Sequence, residues 1–265
     1  MNSIVRIVNG AGETVVSAVS ECRELAALLL RALHGSLFQS RALRGSFMAQ
    51  VSRQILYTGV EALWLVGIIA LICGVTIVLQ SMKTMPQIGA TDYFGNILVM
   101  AVVREIGPFF TSLVVIGRSG AALAAYIGTM RINREIDALE VMGIDPVHFV
   151  VVPALAAMTV SMICLNCYFD IIAIVGGLLV ANLTVQIPFG IFISKVVDAL
   201  SWVDIVLSCS KGIFFGLVIA VVSCRRGLMV STIRAVPQAA MKAVVGSMTF
   251  TIIINIIVTA GFYAR

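Results

Sequence analysis

Residues 59–82 read GVEALWLVGIIALICGVTIVLQSM, an apolar run interrupted by one charge, Glu61. A helix needs about 20 mainly apolar residues to cross a hydrocarbon layer roughly 30 Å thick, because each residue rises about 1.5 Å. Gly59 to Met82 meets that requirement, and so do Tyr93 to Ile116, Val147 to Val180, Val203 to Cys224 and Ala243 to Tyr263. The third run would be about 50 Å long if helical throughout, so it must tilt, kink or project beyond the bilayer. The 265 residues are 60% hydrophobic and 12% charged, against about 25% charged in an average soluble domain. No stretch between the runs is long enough to bury a core of its own. The sequence therefore predicts one all-α, polytopic membrane domain over residues 1–265, with five transmembrane helices in 57–265 and an interfacial helical region at about 13–56.

Orientation follows from lysine and arginine, which are retained on the cytoplasmic side. One alternating set of connections holds Arg6, Arg23, Arg31, Arg41, Arg44 and Arg53, then Arg118, Arg131 and Arg134, then Arg225, Arg226, Arg234 and Lys242. The other set holds Lys83, Lys195 and Arg265. This predicts a cytoplasmic amino terminus and a carboxyl terminus outside. The net charge of +5 is spread over these connections rather than gathered in a nucleic-acid-binding patch. The first residues lack the apolar core of a cleavable signal, so the first span serves for insertion. Ahead of it, Val15, Val19, Cys22, Ala26, Leu29 and Leu33 recur at spacings of four and three, with Glu13, Ser17, Glu21, Glu24 and Arg31 mostly on other faces. That pattern fits an amphipathic helix in the membrane interface or one packed on cytoplasmic protein. Gly35, Gly45 and the arginines between them read as a turn into a second short amphipathic piece.

Sites for soluble chemistry are missing. The chain has no phosphate-binding GxxxxGK[ST] loop and no HExxH, and His34 and His148 are too scattered to hold a metal. The cysteines, Cys22, Cys73, Cys164, Cys167, Cys209 and Cys224, lie in or beside apolar runs and suggest no disulfide framework. Cys164 and Cys167 match CxxC but have no second pair, so core packing is the expected role. Gly212 and Gly216 form GxxxG, expected to pack helices within the chain rather than between chains. The Asn182-Leu183-Thr184 sequon carries no weight.

Ionisable residues at membrane depth say more, since each costs about 3 kcal/mol on insertion scales. Arg104, Glu105, Asp170 and Lys211 are the candidates. Arg104 and Glu105 precede Gly107-Pro108, a pair that loosens a helix and frees backbone groups near a cavity. The two alternatives are that these residues line a polar cavity, or that Arg104 pairs with Asp170 or Glu105 to hold helices together. Between the second and third runs, Ile132, Ile136, Leu139 and Met142 fall on one face, with Arg131, Arg134, Glu135, Asp137 and Glu140 elsewhere. This predicts a short amphipathic helix with pairs Arg131–Glu135 and Arg134–Asp137, ended by Gly143 and Asp145-Pro146. Such a helix suits docking into a groove of a cytoplasmic partner, or serves as a solvated connector.

The series Val103-Arg-Glu-Ile-Gly-Pro108, Gly117-Arg-Ser-Gly120, Ile127-Gly-Thr-Met130 and Ile136-Asp-Ala-Leu-Glu-Val-Met-Gly-Ile-Asp-Pro146 resembles the ordered signatures of MlaE/YrbE permeases. The resemblance implies a bacterial inner-membrane permease for phospholipid, paired with a second copy of itself. It also implies separate ATPase subunits that bind ATP and Mg, and an MCE-domain protein outside. This chain would then hold no cofactor, no metal and no catalytic residue. Arg131, Glu135, Ile136, Asp137, Leu139, Glu140 and Met142 would belong to a coupling helix seated in the ATPase. Arg104, Glu105 and, on ungapped spacing, Leu79 and Met82 would line the lipid cavity. Tyr126 stands where an acid is usual, so a role of that acid does not carry over, while Arg134-Glu135 replaces Glu-Gln and alters the surface offered to the ATPase.

Two other classes fit the residues alone. An ion-driven secondary transporter would use Glu105, Asp170 or Lys211 as ion sites, although no inverted repeat is evident. A membrane scaffold would use the buried charges only for packing.

Overall fold

The computed structural model describes residues 23–31, 44–84, 94–185 and 188–264. No strand occurs among them. Five helices are long and apolar enough to cross a membrane: Phe47–Thr84, Gly95–Ile132, Val147–Thr184, Trp202–Leu228 and Ile233–Tyr263, spans one to five.

The spans are longer than the apolar runs. Span one joins helix Arg44–Thr58 through a tight 3-10 turn at Val60–Ala62 to helix Leu63–Thr84. Gly45 is therefore helical rather than part of a turn, while Gly35 lies outside the described residues. Exposed Trp64 and Lys83 sit about 28 Å apart along this helix, close to the thickness of a hydrocarbon layer. An aromatic ring and a lysine are side chains that favour the two membrane boundaries.

Span two does not end at Ile116. It continues to Ile132 through two π-helical turns, Met100–Ile106 and Ile116–Gly120. Each is marked by a bond five residues back, from Gly107 N to Val102 O and from Ala121 N to Ile116 O. Residues 117–120, read as connection, are thus helix. Arg118 is accommodated there because its guanidinium pairs with Glu61 and donates to the Tyr57 carbonyl at 2.9 Å. Span three is an uninterrupted α-helix, Val152–Val185, after a π-helical turn at Val147–Val151. At about 57 Å overall it exceeds the bilayer by tilt or projection rather than by a kink.

Spans one and three pack most closely. A side chain on Gly74 would lie 2.0 Å from the Ala173 carbonyl, and one on Gly216 of span four 2.7 Å from Thr159 Cα. Lipid tails are as apolar as leucine, so close backbone approach and polar contacts, rather than burial from water, hold such helices together. Gly216 is used within the chain, as expected for GxxxG, whereas Gly212 makes ordinary contact with Ile163. Val66, Ile116, Met158, Phe169, Phe215 and Ile219 fill the core. Ile252, Ile253, Ile256 and Ile257 of span five are exposed. Cys164 and Cys167 are exposed too, contrary to the core-packing expectation, because they fall on the outward side of span three.

The amphipathic segment is helical at residues 23–31. Leu25, Leu28 and Leu29 pack on the core and Ala26 is exposed, so the buried face is turned from the Ala26–Leu29 stripe. Glu24 pairs with Arg225, fixing this helix to the end of span four. Val15, Val19, Cys22 and Leu33 lie outside the described residues, as does His34.

The connection between spans three and four contains a helix that the apolar runs did not reveal, Phe189–Ala199. It buries Phe192 and Val196 and approaches the start of span two so closely that a side chain on Gly95 would meet the Lys195 carbonyl at 2.2 Å.

Candidate functional site

Two places gather polar residues, one at each end of the bundle. The first is the short helix Glu135–Val141. It buries Ile136 and Leu139 against the chain itself and leaves Met142 64% and Val141 89% exposed. The stripe Ile132, Ile136, Leu139, Met142 is therefore not one continuous buried face. A free surface is presented by Glu135, Asp137, Glu140, Val141 and Met142, all exposed. The ion pairing also differs from expectation. Arg131 Nη1 meets Asp137 Oδ1 at 2.6 Å, and Asn133 Nδ2 donates to Glu135 at 3.1 Å. Arg134 has φ 60, a left-handed turn ahead of the helix that breaks the i, i+3 relation it would need with Asp137.

The far end of the helix follows its sequence. Gly143 has φ 74, Ile144 N donates to Leu139 O at 2.9 Å, and Gly143 N donates to Glu140 O at 3.0 Å. These two bonds complete a Schellman termination, for which glycine is the residue without a steric penalty. Asp145 Oδ1 then accepts from Val147 N at 2.8 Å, opening span three.

The second place lies between spans two, four and five, toward the end where span four begins and span five finishes. Pro108 has no N–H, so in α-helical register it cannot bond the carbonyl of Arg104. Lys211 Nζ donates to that carbonyl at 2.8 Å. The same ammonium reaches Glu105 Oε1 at 2.8 Å and donates to Thr259 Oγ1 at 2.8 Å. Three donors thus meet three acceptors, the condition under which a fully buried lysine is tolerated. Thr259 passes its own hydrogen to Glu105 Oε1 at 3.0 Å, and Asn255 Nδ2 donates to Oε2 at 3.4 Å.

Arg104 turns the other way. Its Nε lies 2.5 Å from Asp204 Oδ1, and Nη1 donates to the Tyr263 hydroxyl at 3.4 Å. Its guanidinium carbon sits 5.4 Å from the centre of the Phe262 ring. Asp204 is wholly buried and holds a second bond, accepting from Ser201 N through Oδ2 at 2.9 Å. Ser201 Oγ accepts in return from Val203 N at 3.4 Å, a reciprocal cap on span four. One carboxylate therefore closes a helix end and anchors the arginine.

The cluster is neutral as a whole: Arg104 with Asp204, and Glu105 with Lys211. Arg104 and Glu105 keep 22% and 31% of their side chains accessible, so the outer edge of the network is open. Arg104 pairs with neither Asp170 nor Glu105, because Asp204 is nearer its Nε and Lys211 occupies Glu105. The polar contacts of Arg104 and Glu105 do not include Leu79 or Met82. Met82 is partly buried against the core, and Leu79 is half-buried on the same helix. The sequence reading missed Asp204, Asn255, Thr259 and Tyr263. Two signals could have found them: the Ser201-x-x-Asp204 spacing of a capping box, and a polar stripe every fourth residue in span five.

Among the described residues no group of His, Cys, Asp and Glu is arranged to hold a metal. The two π-helical turns of span two coincide with Val103–Pro108 and Gly117–Gly120. Both motifs thus mark places where the helix is re-registered to present a charge, a common use of π-bulges.

Known proteins are similar in sequence to this chain along most of its length. Residues 51–260 match the family described as permease MlaE. A probable ABC transporter permease protein of Rickettsia prowazekii is 30% identical over 218 residues, 82% of this chain and 84% of that one. The intermembrane phospholipid transport system permease protein MlaE of Haemophilus influenzae is 30% identical over 230 residues, 86% of this chain and 88% of its own length. With the matched region running from span one to span five and containing both the charged network and the short helix, the chain belongs to the MlaE permease family.

Proposed function

We propose that this multi-pass membrane protein is the permease subunit of an ATP-driven transporter that moves phospholipid between membranes. The observation that carries the proposal is the match over residues 51–260, shared with a relative named for intermembrane phospholipid transport. A non-enzymatic transport subunit of this kind works with a separate ATPase that binds ATP and Mg. We further assign it a second copy of itself, an MCE-domain partner, and residence in the bacterial inner membrane. The arginine-rich end with the amino terminus faces the cytoplasm, and the carboxyl terminus faces the periplasm.

The geometry supports a division of labour. The exposed side of Glu135–Val141, with Glu135, Asp137, Glu140, Val141 and Met142, is the surface offered to the ATPase. Ile136 and Leu139 hold that helix to its own chain. At the other end, the open edge of Arg104 and Glu105 is where a zwitterionic or anionic headgroup would meet charge, and we assign Leu79 and Met82 to the apolar wall of the same cavity. Binding energy alone does not move lipid; ATP must favour one arrangement of the assembly over another.

The test is reconstitution of the complex in vesicles with Val141→Glu plus Met142→Glu in the permease. Like charge beside Glu140 on a docking face opposes association without touching the buried side. Loss of ATPase co-purification and of ATP-dependent lipid transfer, with an unchanged thermal midpoint for the isolated permease, is the expected result. Normal co-purification and transfer by that variant would remove the docking assignment.

A further inference from the structure

Span three carries an acid that the charged network does not use. Asp170 takes part in none of the ion pairs among the described residues. Its Oδ1 is buried without a hydrogen-bond partner, and so is Asn166 Oδ1, one helical turn away. Both oxygens converge on the same point. A side chain on Gly107 would lie 2.3 Å from Asp170 Oδ1 and 3.2 Å from Asn166 Oδ1.

The amide orientation is set by its neighbours. Asn166 Nδ2 donates to Ser208 Oγ at 2.7 Å and to Ser208 O at 3.4 Å. The Ser208 carbonyl can only accept, so the amide nitrogen faces Ser208 and the amide oxygen faces Gly107. The result is two acceptors with no donor between them, in a place where the glycine of Val103–Pro108 leaves room.

The surrounding charges offer no relief. Span two contributes Arg104 and Glu105, and span four Asp204 and Lys211, which neutralise one another in pairs. Span one has no charge between Ala62 and Met82, and span three has no other between Val152 and Val185. Cys167 on span three and Cys209 on span four are the nearby thiols, weak donors. An unpaired carboxylate here would be costly, as would each unsatisfied oxygen.

We infer that Asp170 is a proton-binding site, its neutral carboxyl donating through Oδ1 to Asn166 Oδ1 across the space left by Gly107. One bound proton removes the charge and supplies the missing donor. It joins Asp170 to Asn166, whose amide in turn holds Ser208, linking spans three and four at the π-helical turn of span two. Part of the Asp170 side chain remains accessible, which gives the proton a path. The site is separate from the Arg104–Lys211 network and independent of which lipid is carried.

The test is infrared difference spectroscopy of the full-length protein in lipid nanodiscs, with carbon-13 aspartate to identify the band. A protonated aspartic acid band at neutral pH, lost in Asp170→Asn and shifted in Asn166→Leu, is expected. Asp170→Asn should match the wild-type thermal midpoint at acidic pH and exceed it at neutral pH, because its amide donates where the acid did and releases no proton on unfolding. It should also lose the fall in midpoint that the wild type shows as pH rises and the carboxyl is forced to ionise. If the labelled wild-type protein shows no protonated aspartic acid at neutral pH, the proposal fails, whether or not the variants fold. It fails equally if sodium or potassium raises the wild-type midpoint but not that of Asp170→Asn, since a cation would then fill the site.

Discussion

Replacing Asp204 by asparagine separates its two roles. The side-chain oxygen can still accept from Ser201 N, so the cap on span four survives, but the partner of Arg104 loses its charge. Removing one member of a buried ion pair costs about 3–5 kcal/mol when both are enclosed. Asp204 is fully buried, while Arg104 keeps 22% of its side chain accessible together with Tyr263 and the Phe262 ring. Partial solvation of the orphaned guanidinium lowers the expected cost to about 2–3 kcal/mol. For a chain of this size each kcal/mol moves the midpoint by about 2–4 °C, so the variant should melt roughly 5–10 °C lower. Arg104→Gln in the same chain should recover most of the loss, because no charge is then left in the apolar layer. The assay is a double-mutant cycle on thermal unfolding of the purified protein in one detergent. Purely additive effects, or a drop of less than about 1 °C for Asp204→Asn alone, would refute the view that this pair anchors span four to span two.

Lys211→Met should be the more damaging change, about 3–5 kcal/mol, since it orphans Glu105 and the Arg104 carbonyl together. Glu105→Gln added to it should restore part of the midpoint, measured in the same way. Gly74→Ala would drive a methyl group against the Ala173 carbonyl and should cost about 1–3 kcal/mol by forcing spans one and three apart. Gly190→Ala, where nothing lies within 4 Å, is the control and should leave the midpoint unchanged.

How much of this was legible beforehand differs from element to element. The five apolar runs, the arginine-rich alternation and the end of the short helix at Gly143 are local properties of composition and backbone geometry. Gly107-Pro108 also spoke locally: a missing N–H must free a carbonyl, and the structure shows that carbonyl on Lys211. What the apolar runs misplaced were helix ends. The extension of span two to Ile132 depends on Arg118 finding Glu61, 57 residues earlier in the chain, and no windowed pattern records such a pairing. The choice of Asp204 rather than Asp170 for Arg104 is of the same kind.

The sequence by itself determined that the chain is an all-α membrane protein, where its short helix before span three stops, and which charges needed a partner. Only the tertiary structure decided which partner each charge received, which side of Glu135–Val141 is free, and that Asp170 stands apart beside Gly107. The physical reason is range. Hydrophobic periodicity, proline and glycine act over one or two turns, whereas a buried charge is satisfied by whichever side chain the packing of distant helices brings within about 3 Å.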